Sequence, residues 1–205
     1  RKLIKRIKRF LDISSNKYAV AVVVLLLASF IIGLSSVFFR YPMSWFDEHV
    51  HYARRMTYAD NPLSITRGKV TKDEQTFIQK PMEKIARSLG QPTTEIISSD
   101  WQKEFDELGK HQERISTKDA TAAAIYTPFV YAPYIIAAWI GKVLHLNVVT
   151  TFLLMRLSGF LLVFTMLVLA IRKIPFGKLT LAIIGSLPPV TISFAAISAD
   201  ELSYG

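Results

Sequence analysis

The sequence predicts an all-α integral membrane protein with three transmembrane helices and outer juxtamembrane helices, and three observations carry that prediction. Apolar residues gather in runs too long and too free of charge for the core of a soluble domain: Tyr18 to Phe39, Val148 to Ile171 and Leu179 to Ala199. Basic residues cluster at 1–9 and 172–178, in the short flanks that spanning helices keep on the cytoplasmic side. Between the first two runs, residues 41–125 are polar and punctuated by helix caps and stops, the mark of a structured insertion.

Residues 1–17 open on Arg1, Lys2, Lys5, Arg6, Lys8 and Arg9, with Leu3, Ile4, Ile7, Phe10 and Leu11 on the other face. They read as a cytoplasmic basic segment at the interface with anionic lipid. Residues 18–39 are the first span: 22 residues without a charge reach about 33 Å at about 1.5 Å each, enough for a hydrocarbon core of about 30 Å. The run is long for a signal peptide and has no small-x-small site at its end, so it is expected to be retained.

The outer loop, 40–125, holds 13 acids and 12 bases between residues 41 and 125, and that near balance argues against a nucleic-acid surface despite a net charge of +9. Ser44 reads as the N-cap of a helix from about Trp45 to Tyr58, stopped by Asn61-Pro62. Further helices are expected from Lys80 to Leu89, stopped by Gly90 and Pro92, and from a cap at Asp100 through Leu108, ended by Gly109; Ser64 to Val70 reads as extended. Residues 126–147 are apolar and aromatic, but two prolines, Lys142 and His145 make them a poor span. They are expected to form an outer interfacial or shallowly re-entrant helix.

Residues 148–171 are the second span, interrupted only by Arg156; 172–178 are a cytoplasmic turn, 179–199 the third span, and 200–205 the start of the next outer loop. A count of four spans would place Arg172, Lys173 and Lys178 outside, against the short-loop charge rule. Pro188-Pro189 would strip backbone partners inside the third span, as in the broken helices that border ligand sites or in a plain kink. The ending at Asp200 to Gly205, directly after a span, reads as the edge of a fragment.

The chemistry-bearing residues converge on the outer side. Asp47, Glu48 and His51 follow the first span, with Arg54 and Arg55 one turn on; Tyr126 and Tyr131 precede the second span, and Asp200 follows the third. Spacings of three and four set each acid near His51 on a helix face, so an acid can orient the imidazole, or Asp47, Glu48 and His51 can share a divalent cation. Asp47 has a competing role, closing a capping box with Ser44. Arg156 lies about eight residues inside its span, where a guanidinium needs water, an acid or a phosphate. With Cys 0, disulfides and thiolate chemistry are excluded.

Four segments taken in order resemble a known family: PMSWFDEHVHYAR from Pro42, YTPFVYAP from Tyr126, Arg156-Leu157 in a span ending AIRKIP, and LPP followed by ISADEL from Ile197. They are similar to the domain-of-unknown-function 2142 family of bacterial multi-pass membrane proteins. That family in turn resembles the C-type integral-membrane glycosyltransferase superfamily. The resemblance implies an N-terminal fragment of a multi-pass glycosyltransferase-C-like fold in the bacterial plasma membrane, N-terminus cytoplasmic. It implies transfer of a sugar from a polyprenyl-phosphate-linked donor to a glycan or lipid acceptor at the outer face. Asp47 or Glu48 would be the catalytic acid or base, with His51, Arg54, Arg55, Tyr126, Tyr131, Arg156 and Asp200 binding substrate. Met43 to Phe46 departs from the proline pair or small residue that often precedes the acid, which leaves open which carboxylate works. A lipid or polysaccharide transporter component and a non-catalytic scaffold are the alternatives.

Overall fold

The computed structural model describes residues 16–45, 47–64, 68–88, 101–109 and 113–198. The interfacial segment expected at 1–13, the cap expected at Asp100, and Asp200 lie outside them. Among the described residues two helices are long and apolar enough to cross a membrane: α1, Asn16–Phe39, and a second over Val148–Lys173. Between them come α2 (Glu48–Asp60), β1 (Gly68–Thr71), α3 (Lys72–Ser88), α4 (Trp101–Glu104), β2 (Arg114–Thr117), α5 (Asp119–Ala122), a 3-10 turn at Pro128–Tyr131 and α6 (Ala132–Val143). The second long helix is therefore α7, and α8 (Lys178–Gly185) and α9 (Pro188–Ser193) follow it.

The two long helices pack antiparallel. Ala19, Val22, Val23 and Leu26 of α1 cluster with Ile171 at the far end of α7, whereas Val37 clusters with Phe160. Gly33 permits the closest approach: a Cβ there would stand 2.1 Å from the Phe160 ring, which stacks with Phe30 at 5.7 Å. The basic turn after α7 thus lies at the same end of the pair as the start of α1, which is the arrangement that common cytoplasmic placement requires. In this cysteine-free chain, an impermeant thiol reagent applied to intact cells is expected to label Ser116→Cys and spare Lys178→Cys. Labelling of both would overturn that orientation.

The third apolar run does not form the continuous span expected at 179–199. It splits into α8 and α9, and the reason is local. Pro188 and Pro189 are the first two residues of α9, where a missing N–H costs nothing, but they have no N–H to give the carbonyls of the preceding turn. The Gly185 carbonyl accepts instead from the hydroxyls of Ser29, at 3.1 Å, and Thr191, at 3.2 Å, and these two lie 3.0 Å apart. Ser186 reaches the Leu25 carbonyl, tying the break to α1 a second time. A hydroxyl from a neighbouring helix is how a broken helix survives in a setting without water. Combining Ser29→Ala with Thr191→Val is expected to cost about 1–3 kcal/mol, seen as a lower melting temperature in detergent; a double variant that melts like the wild type would show that the hydroxyls do not hold the break.

The α6–α7 connection is a helical hairpin. Leu146 N–H donates to the Gly141 carbonyl and His145 N–H to that of Lys142, with His145 at φ 52 taking the left-handed position usually given to glycine. The Asn147 side chain then caps α7 by accepting from Thr150 N–H at 2.7 Å. Gly141 against Thr151 and Tyr134 against Gly159 set α6 alongside the outer end of α7. With 12 residues, or about 18 Å, α6 is too short to cross a membrane.

The remaining elements build a layer at one end of the long pair whose core is aromatic: Tyr52, Phe77, Trp101, Phe105 and Phe152 are fully buried and meet edge to face. Val148, Val149, Phe152 and Met155 belong to this core, so the first two turns of α7 pack into this layer. The expected elements here shift. The first helix starts at Glu48 and not Trp45, because Ser44 turns back to the Tyr41 carbonyl at 2.7 Å and leaves the N-cap position to Asp47. α3 begins eight residues before the expected Lys80, opened by a capping box in which Glu74 accepts Thr71 N–H at 2.7 Å and Thr71 Oγ1 accepts Glu74 N–H at 3.2 Å. The T-x-x-E spacing was there to be read. Of the helix expected through Leu108, only Trp101–Glu104 is helical, and turns lead on to Gly109 at φ 123. The extended piece narrows to Gly68–Thr71, which pairs antiparallel with Arg114–Thr117, a strand the sequence pattern did not single out.

Candidate functional site

Glu48 and Arg156 find each other. Both are fully buried at 0% exposure, and the pair is bidentate: Arg156 Nε donates to Glu48 Oε1 at 2.9 Å and Nη2 to Oε2 at 2.8 Å. Arg156 Nη1 donates to the Arg40 carbonyl at 2.8 Å and Nη2 also to that of Tyr41 at 3.3 Å, while Ile197 N–H donates to Glu48 Oε1 at 3.2 Å. Two helix ends favour the arrangement. The cation sits just past the C-terminus of α1, the carboxylate at the first residue of α2, and each faces the helix partial charge of opposite sign. Arg156 therefore meets an acid, as its depth in the chain required, and the pair joins α1, α2, α7 and the segment after α9 at one point. This is a structural use of both groups, different from the phosphate-binding role expected of Arg156 and the catalytic role expected of Glu48.

Asp47 is the other acid of the pair in sequence, and its setting is opposite. It is exposed, its backbone is left-handed at φ 57, and its side chain caps nothing, so the capping box with Ser44 does not form. An aspartate tolerates that conformation better than most residues. Its carbonyl accepts from His51 N–H at 3.0 Å. The metal reading fails on direction: Glu48 turns to Arg156 and His51 to Tyr131, and among the described residues no group of acids and histidines is disposed to hold a metal ion.

His51, Arg54, Arg55, Tyr126 and Tyr131, predicted from two separate places in the chain, come together. His51 Nδ1 and Tyr131 Oη are 2.7 Å apart, and the Tyr126 ring meets the rings of His51 at 5.4 Å and Tyr131 at 6.1 Å. The Arg55 guanidinium lies 3.6 Å over the Tyr134 ring and donates to the Ser198 carbonyl at 2.7 Å. Arg54 donates to Tyr58 Oη at 2.8 Å and to the Ser64 carbonyl at 2.6 Å, and Tyr58 Oη donates to the Tyr126 carbonyl at 2.7 Å. Burial pushes the Tyr131 phenol well above the ordinary tyrosine range, with Arg55 opposing, so its hydroxyl stays protonated. A small recess of about 180 Å³ opens over Arg54, Tyr58 and Tyr126.

A larger space lies lower. A groove of about 800 Å³ runs between α7 and the broken pair α8–α9, lined by Val163, Met166, Leu167, Ile184, Pro189 and Val190, with Trp45 and Ser198 also on its wall. Above Trp45 stands Arg40, its guanidinium 4.6 Å from the ring centroid and its Nε donating to Ser44 Oγ at 3.0 Å. Arg40 reads in the sequence only as the flank of the first span. The signal that would have raised it is its position, since spans carry their arginines preferentially on the inner side.

Residues 30–205 match the family described as "Predicted membrane protein (DUF2142)". The chain belongs to this family. No curated protein and no solved structure matches the chain. The match covers the C-terminal part of α1 from residue 30, all of α7 and the elements between them in this DUF2142 protein, so the buried ion pair, the aromatic cluster and the groove all lie within the matched region.

Proposed function

We propose that this DUF2142 protein contributes the donor-binding part of a membrane glycosyltransferase that moves a sugar from a polyprenyl-phosphate-type lipid to a cell-envelope acceptor at the outer face. The observation that carries the reading is the apolar groove along α7, whose wall includes Trp45, two residues from the exposed carboxylate of Asp47. A lipid chain suits that groove, and a carboxylate near its mouth suits proton abstraction from an acceptor hydroxyl. The sugar itself rests on the resemblance of the chain's motifs to the C-type superfamily. Glu48 and Arg156 then act by holding Asp47's helix in place, and the tyrosines around Arg54 supply ring faces and hydroxyls for an acceptor.

The break at Pro188-Pro189 lines the same groove and favours a second reading, a lipid or polysaccharide carrier. Purified full-length protein in vesicles, given a polyprenyl-phosphate-linked radiolabelled sugar and membrane-derived acceptor, separates the two. Acceptor-dependent transfer is expected. Movement of the intact donor across the bilayer without transfer would favour the carrier instead.

A further inference from the structure

An arginine at the outer end of a span, next to a buried ion pair, raises a question of charge. Glu48 and Arg156 neutralise each other at that level, and among the described residues no carboxylate comes within ion-pair distance of Arg40. Its Nε is used by Ser44, but Nη1 is buried without a partner. Burial lowers the Arg40 pKa to about 10, with Glu48 opposing, so the group is a cation throughout the physiological range. A buried donor on a cation is costly unless something accepts from it. Against the guanidinium lies the Trp45 ring, and Trp45 lines the apolar groove. Cation, indole and apolar channel are thus contiguous, the sequence of surroundings that a lipid with an anionic phosphate needs.

We propose that Arg40 binds the phosphate of an anionic lipid whose chain lies in the groove between α7 and the α8–α9 pair. The proposal deepens the donor-binding reading and rests on it for the identity of the natural lipid. The groove's lining is almost wholly apolar, so chain and head are recognised by different residues. Selection between lipids falls to Arg40, whose fixed fork prefers a phosphate uncompensated by a choline.

The test uses Trp45 as reporter in a Trp139→Phe background, because Trp139 is exposed whereas Trp101 is fully buried. Full-length protein is reconstituted in phosphatidylcholine vesicles carrying equal small fractions of brominated-chain phosphatidylglycerol in one set and brominated-chain phosphatidylcholine in the other. Brominated phosphatidylglycerol is expected to quench with about threefold higher apparent affinity, the preference that one partly exposed charge contact supplies. The preference is expected to vanish in Arg40→Gln, to survive in part in Arg40→Lys, and to be lost when Trp45→Phe is added to the Trp139→Phe background, where the remaining Trp101 is fully buried. Arg40→Gln keeps the backbone carbonyl that Arg156 uses, so folding is retained and checked by an unchanged melting temperature. Equal quenching by the two lipids, or an equal preference in Arg40→Gln, overturns the proposal. Because Asp47 takes no part in this binding, Asp47→Asn is expected to keep the lipid preference; a protein that prefers the anionic lipid but transfers no sugar refutes the enzyme reading alone, and one that transfers sugar without the preference refutes this proposal alone.

Discussion

Glu48→Gln is expected to lower stability by about 3–5 kcal/mol, because it leaves the fully buried guanidinium of Arg156 without its counter-charge. The glutamine keeps the size and one acceptor oxygen, so the loss is a loss of charge and not of packing. Against a total stability of about 5–15 kcal/mol, that is enough to deplete folded protein from the membrane. Arg156→Ala should do as much or more, since it also frees the Arg40 and Tyr41 carbonyls and removes the guanidinium that lies over the Phe152 ring. Replacing both partners is the telling control. Glu48→Leu combined with Arg156→Met removes two charges together and is expected to recover most of the loss, as apolar replacements of buried pairs commonly do. Melting curves in detergent, followed by size-exclusion fluorescence, measure all three variants. A Glu48→Gln protein that melts with the wild type would show that the pair contributes little, and the structural role assigned to it here would be wrong.

Asp47→Asn is expected to have the opposite profile: unchanged stability and a turnover lower by about 10²- to 10⁴-fold, the share that a general base supplies. Stability is safe for a physical reason. Asp47 is exposed and caps nothing, and its left-handed backbone suits asparagine at least as well as aspartate. Sugar transfer per folded molecule, measured on purified protein, isolates the chemistry, and Glu48→Gln serves as comparison because its activity should fall only in step with its folded fraction. Full turnover in Asp47→Asn would remove the acid from the mechanism and leave the carrier reading as the better account of the groove.

The sequence by itself determined that this is a membrane protein, where two long apolar helices run, and that an arginine inside the second must meet a partner. Those readings need only hydropathy over about 20 residues and the cost of a bare cation, both of which are local or one-body quantities. The gathering of His51, Arg54, Arg55, Tyr126 and Tyr131 was also legible, because the segment after one long helix and the segment before the next meet at one end of an antiparallel pair. Which of two adjacent acids faces inward was not. Consecutive helix residues point about 100° apart, so moving the helix start from Ser44 to Asp47 decides that Glu48 is buried and Asp47 exposed. That start is set by Ser44 turning back to Tyr41 and by Arg156, 108 residues away, drawing Glu48 in. The split of the third run has the same character. Prolines announce a missing donor, but whether the chain kinks or breaks depends on an acceptor's alternatives, and here the hydroxyl that satisfies Gly185 comes from Ser29, 156 residues earlier. Only the tertiary structure can settle such cases, since the free energy that decides them belongs to contacts between residues the sequence keeps far apart.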